Sequence, residues 1–105
     1  MDQSQFLKGV LDVAVLAVIV RGEAYGYEIL SRLGDVGLEG VGDASVYGTL
    51  RRLEQAGHLS SRLAASDSGP ARKYYAATDS GRELYASGCA AWRRIDAALD
   101  RLVEP

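Results

Sequence analysis

DASVYGTLRRLEQAGHL, residues 43–59, is the stretch that decides the fold. Asp43 is a residue type that caps helices, its carboxylate accepting the free N–H of Val46, and Gly57 suits the left-handed conformation that ends one. The thirteen residues between them predict a helix over 44–56. At about 100° per residue, Val46, Leu50 and Leu53 share one narrow stripe, while Ala44, Gly48, Arg51, Arg52 and Gln55 point the opposite way. One face is built to dock on a core, and the other is small and basic.

The chain of 105 residues has room for one domain with one modest core, and at 48% hydrophobic and 25% charged residues its composition is that of a globular protein. A single cysteine, Cys89, excludes an internal disulfide. With no signal peptide recognisable at the N-terminus, a reducing, cytoplasmic location is the expectation. The apolar run at 13–20 is too short for a bilayer, which needs about 20 residues, and reads as a buried helix. Net charge is −2, yet 43–82 holds six basic residues (Arg51, Arg52, Arg62, Arg72, Lys73, Arg82) against four acidic ones (Asp43, Glu54, Asp67, Asp79). A basic middle in an acidic frame is a modest electrostatic signal for a polyanionic partner.

Outward from that helix, 4–20 reads as a first helix, with Leu7, Leu11, Ala14 and Val18 on one stripe. Its β-branched residues would also suit a strand, but the apolar pattern continues upstream beyond strand length. A second helix is expected over 24–33, burying Ile29, Leu30 and Leu33 and stopped by Gly34. Gly34, Gly37, Gly40 and Gly42 then imply a flexible or sharply turning link. After the central helix, 58–65 alternates with a period of two, 66–70 supplies turn chemistry, and 72–77 makes a return strand. Thr78 is a suitable N-cap for a last helix reaching about Leu102.

Three helices, a hairpin and a long helix give a mainly α fold with a β-hairpin wing, the order of a winged helix-turn-helix. Residues 1–78 are expected to form the winged-helix DNA-binding domain and 79–105 a dimerisation helix, within one compact unit. YGYEI at 25–29, SVYGTLRRLE at 45–54, GPARKYY at 69–75 and TDSGR at 78–82 together resemble the PadR family of bacterial transcriptional regulators. The resemblance runs over about 6–102, and the length is similar to the branch whose C-terminal part is a single helix. Relatives often carry Pro where this chain has Gly48 and Leu where it has Ala77.

The resemblance implies that the first turns of the 44–56 helix enter the major groove of double-stranded operator DNA. Ser45 and Tyr47 would then reach bases or phosphates, Arg51 a phosphate or guanine edge, with Gly48 and Arg52 on the same face. Arg72 and Lys73, after a Gly-Pro turn, are expected to meet a phosphate or the minor-groove edge. Tyr25 either adds a backbone contact at the start of its helix or, with Tyr27, packs in the core.

On the last helix, Tyr85, Trp92 and Leu99 recur every seven residues, and Gly88, Ile95 and Leu102 interleave as a second seam. Two seams call for a partner helix, supplied most economically by a second copy, with Leu11 of the first helix also at that interface. In the multidrug-sensing branch of the PadR family an aromatic at the matching place lines a dimer-interface pocket for flat aromatic ligands. The resemblance extends this to Trp92, with Cys89, Asp96 and Val13 nearby; filling the dimer core is the other reading of Trp92.

No enzyme constellation is visible: His58 and Cys89 are single and far apart, and there is no phosphate loop or metal-ligand cluster, so neither catalysis nor a cofactor is expected. The reading is a homodimeric, cytoplasmic DNA-binding repressor, with no membrane partner, that binds an inverted repeat and is released by a small planar aromatic effector. The rival is a dimeric interaction module or small-molecule-binding protein without DNA binding, which the negative net charge permits.

Overall fold

The structure is a computed structural model and describes residues 10–104. In chain order it contains α1 (Leu11–Ile19), β1 (Ala24–Tyr25), α2 (Gly26–Asp35), α3 (Asp43–Gln55), β2 (Leu59–Ser66), β3 (Gly69–Ala77) and α4 (Asp79–Val103). The described part of the first apolar run is helical, as its length suggests, and the expected upstream turns at 4–9 lie outside the described residues. Because α1 is apolar on nearly every side, it can sit among α2, α3 and α4 at once, burying Leu11, Val15, Leu16 and Ile19.

α3 docks as its stripe requires, with Val46 and Leu50 wholly buried and Leu53 at 1% exposure. Thr49 joins them because its hydroxyl donates to the Ser45 carbonyl at 2.8 Å, which removes the cost of burying it. The cap differs from expectation: Gly42 takes the N-cap position, its carbonyl accepting from Ser45 and Val46, and Asp43 is the first helical residue. There its charge still complements the helix dipole, so the residue type was informative while the position was one off. The C-terminus is a Schellman closure. Gly57 adopts φ +84°, its N–H bonds the Glu54 carbonyl, and the His58 N–H reaches Leu53, each at 2.9 Å.

The second helix departs further from its sequence pattern. Ala24 and Tyr25 are not helical but pair with Tyr75 and Tyr74 of β3 in an antiparallel bridge, giving a three-stranded sheet of order β1-β3-β2. α2 then runs through Gly34 and closes instead at Gly37 (φ +92°), with the Leu38 N–H on Leu33. Of the four glycines in that stretch only Gly37 uses the left-handed region, and Val41 anchors the following loop in the core.

In the wing, the ladder continues to Ser66 and Gly69, so the turn is only Asp67 and Ser68. Pro70 therefore lies within β3, where the register slips between Ala64 and Ser66 and a residue without an N–H is tolerated. α4 begins as expected: the Thr78 hydroxyl accepts the Gly81 N–H at 3.2 Å, and the helix continues for 25 residues. Its first turns lie on α1, through partly buried Leu84 and Tyr85, while the remainder projects, giving the molecule an extent of 55 Å along its longest axis.

Gly26, Gly81 and Gly88 hold elements in close approach, whereas Gly48 has open space. A Cβ on Gly26 would stand 2.6 Å from the Tyr47 hydroxyl oxygen, one on Gly81 would overlap the His58 carbonyl, and one on Gly48 would meet nothing. Gly26→Ala should destabilise by about 1–3 kcal/mol, Gly81→Ala by more because backbone must move, and Gly48→Ala should stabilise by about 1 kcal/mol. Urea unfolding at one fixed protein concentration checks the three signs.

Candidate nucleic-acid interface

Burying Val46, Leu50 and Leu53 leaves the opposite side of α3 facing out. Ser45 and Arg51 are exposed, and Tyr47 is 41% exposed. Gly48 sits between them with nothing within 4 Å of the place a side chain would occupy. Tyr47 is not free to swing, because its ring lies against the backbone of Gly26 at the head of α2. The YGY and SVYG motifs are therefore two halves of one contact: the glycine is absent-side-chain space for the tyrosine.

The wing meets the same region from the other side. Arg72 lies over the Tyr25 ring at 4.5 Å, Tyr25 meets Tyr74 edge-on at 5.4 Å, and Arg62 covers Tyr74 at 5.1 Å. Such cation–π contacts hold a guanidinium in place while leaving its N–H groups available. Tyr25 is also fixed through its backbone, whose N–H donates to the Glu28 carboxylate at 3.1 Å. Between wing and helix heads is an open cleft of about 270 Å³, lined by Tyr25, Tyr27, Tyr47, Arg72, Lys73 and Tyr75. Tyr27 is 70% exposed at its rim and stacks on Tyr25 at 6.5 Å, so neither ring of the pair is core.

The cations fall into two groups. Arg52 makes two hydrogen bonds to Asp12 of α1, at 2.5 and 3.0 Å, and that carboxylate raises its pKa. Arg62 is held by Glu23, and Lys73 lies 2.9 Å from Glu54, which also accepts the Ser61 hydroxyl. The Ser61 bond, then Lys73, holds the Glu54 carboxyl below its ordinary 4.5, and the Arg62 bond does the same for Glu23. Arg51 and Arg72 make no ion pair among the described residues. Of the four cations that the sequence assigns to DNA, the structure leaves these two uncommitted and ties Arg52 and Lys73 to carboxylates. The acidic partners Asp12, Glu23 and Glu54 carry no signal in the sequence, since two of the pairs span about 40 positions.

Behind α3, its C-cap and the N-cap of α4 form one joint. The Gly57 carbonyl accepts from the Thr78 hydroxyl at 2.7 Å and from the Ser80 hydroxyl at 3.1 Å, while the Thr78 N–H donates to the His58 carbonyl at 3.2 Å. The His58 ring nitrogen Nδ1 is 3.1 Å from Ser80 Oγ, and Gly81 lets the two backbones touch. This assigns the TDSGR motif and His58 to a structural joint.

The residues expected along the dimer seam divide as well. Leu11 is 8% exposed and belongs to the chain's own core; Tyr85 packs on that core, and Gly88 receives Val13, whose Cγ2 would lie 2.6 Å from a Cβ there. The reason is that the first turns of α4 are needed to cover α1. Trp92, Ile95, Leu99 and Leu102 remain open, at 43%, 54%, 45% and 79% exposure, and Val103 adds to them. Of the effector residues, Val13 and Cys89 are half-buried where α4 leaves α1, and Trp92 and Asp96 face outward.

Comparison with known proteins places this geometry. The model described as the transcriptional regulator PadR-like family matches residues 15–87. A crystal structure of a PadR-like transcriptional regulator from Bacillus cereus is similar at a TM-score of 0.86 and 35% identity, covering 97% of this chain and 99% of that one. A PadR family transcriptional regulator from Eggerthella lenta gives a TM-score of 0.84 and 32% identity, covering 95% and 87% respectively. A curated Lysinibacillus sphaericus protein, described as uncharacterized, is 26% identical over 106 residues, covering 99% of this chain and 97% of that one.

Glu23 and Glu54 have depressed folded-state pKa values, so what they contribute is present above the ordinary 4.5 and is lost as pH falls through their lower folded values. Urea midpoints measured from pH 7 to 3 should fall below about pH 4.5 in the wild type. The double variant Glu23→Gln, Glu54→Gln should start lower at pH 7 and show a shallower acid decline.

Proposed function

The chain belongs to the PadR-like family of transcriptional regulators, and from that membership together with the outward face of α3 we propose that it is a homodimeric repressor binding an inverted-repeat operator. The observation that carries this reading is the pairing of an exposed helix face bearing Arg51 with a stacked Arg72, which makes no ion pair among the described residues, across an open cleft. α3 presents Ser45, Tyr47 and Gly48 to the major groove, Arg51 takes a phosphate or a guanine edge, and Arg72 with Tyr25 takes the adjacent backbone. Gly48 lets the helix backbone approach the groove closely.

Two copies are joined through the projecting part of α4, where Trp92, Ile95, Leu99 and Leu102 form an apolar seam too large to leave in water. That arrangement sets two reading heads about one DNA turn apart, roughly 34 Å, and so matches a two-fold symmetric site. A small planar aromatic effector stacks on Trp92 at the seam, bordered by Val13, Cys89 and Asp96. It releases DNA by changing the tilt between the two α4 helices. The net charge of −2 also suits the rival, a dimeric interaction module that has lost DNA binding.

Binding to duplex DNA selected by the protein from a random pool should weaken steeply with salt. Arg51→Ala and Arg72→Ala should each weaken it; Arg72→Ala should lower the slope of log affinity against log salt by roughly 1.8, two copies at about 0.9 per phosphate, and Arg51→Ala should do the same where Arg51 takes a phosphate and relax sequence preference where it takes a guanine edge. No selected sequence, or a salt-independent shift, contradicts the repressor reading and favours the rival. Trp92 is the single tryptophan, so its fluorescence reports the seam directly. Planar aromatics should quench it and lower DNA affinity together; a broad panel with no quenching removes the effector.

A further inference from the structure

Glu54 stands where a carboxylate is least welcome. It lies in the last turn of α3, beside the negative end of the helix dipole, and its side chain is only 29% exposed. What holds it there is the wing. One carboxylate oxygen is 2.9 Å from Lys73 Nζ on β3, and the other accepts the Ser61 hydroxyl on β2. One side chain thus fastens both strands of the hairpin to the recognition helix.

Lys73 completes the fastening. It points to the same side of β3 as buried Tyr75, whose ring its ammonium approaches at 5.3 Å, whereas Arg72 and Tyr74 occupy the opposite side. Its charge is already committed: to reach a phosphate it would have to abandon Glu54 and leave that carboxylate uncompensated beside DNA. Arg72, one residue earlier, has no such partner among the described residues. Simultaneous engagement of groove and backbone needs wing and helix in a fixed relation, within roughly half an ångström.

We propose that Glu54 is a positioning residue for DNA binding: through Ser61 and Lys73 it sets the angle between wing and recognition helix, and Lys73 is its strut and not a phosphate contact. This rests on the DNA-binding reading above, and the experiment separates the two. The full-length protein and its variants are titrated against the duplex the wild type enriches from a random pool, at several salt concentrations, with native circular dichroism confirmed for each. Glu54→Gln and Lys73→Met should each weaken binding by about tenfold, two modest latches being lost per dimer, with the salt slope unchanged. The charge-reversed pair Glu54→Lys, Lys73→Glu should recover most of the affinity that Lys73→Glu alone removes. If Glu54→Gln unfolds the chain, Ser61→Ala is the milder probe and should weaken binding at constant slope. A slope that drops by roughly 1.8 in Lys73→Met, tighter binding by Glu54→Gln, or no recovery in the reversed pair overturns the proposal. A wild type that enriches no sequence removes the DNA-binding reading, and this one with it.

Discussion

The carbonyl of Gly57 is where α3 stops and where the long helix α4 is fastened. Two hydroxyls, from Thr78 and Ser80, converge on it, the Thr78 N–H takes the neighbouring carbonyl, and Gly81 lets the chains touch. A backbone carbonyl at a helix end needs a partner in any case, and here the partner is the cap of another helix. α3 and α4 are therefore one body at that end. In the proposed dimer, a change of tilt between the two α4 helices reaches the two reading heads without an intervening flexible link.

Other contacts hold α3 from the remaining directions. Tyr47 over Gly26 braces its head against α2, Arg52 with Asp12 braces its flank against α1, and Glu54 braces its tail against the wing. Each brace uses a residue that composition alone would assign to the surface. Three carboxylates are occupied with aligning cations, so that of the four cations the sequence assigns to DNA only Arg51 and Arg72 make no ion pair among the described residues. Surface ion pairs add little to stability singly, so their consequence here is geometric.

Periodicity made the helices legible because it reports burial directly. Val46, Leu50 and Leu53 are inside for the reason their spacing suggests, and Thr78 and Gly57 cap the helices they flank. Boundaries failed where tertiary pairing overrode local preference. Ala24 and Tyr25 look helical until β3 supplies a partner, and Pro70 looks like a turn until a register slip accommodates it. The outer face of α3 was legible too, but the division of its cations was not: Arg51 and Arg52 are neighbours in sequence, and only the fold shows that Asp12 claims one of them. The seam on α4 was half visible, since spacing by seven cannot tell Gly88, closed by Val13, from Leu102, open to water.

The central claim is that two copies of α3 read one DNA face together. Hydroxyl-radical footprinting of the wild-type protein on its selected duplex tests it most directly. The account predicts two protected segments whose centres lie about ten base pairs apart on the same face, symmetric about the duplex midpoint. A single protected segment, or two segments out of phase with the helical repeat, would contradict it.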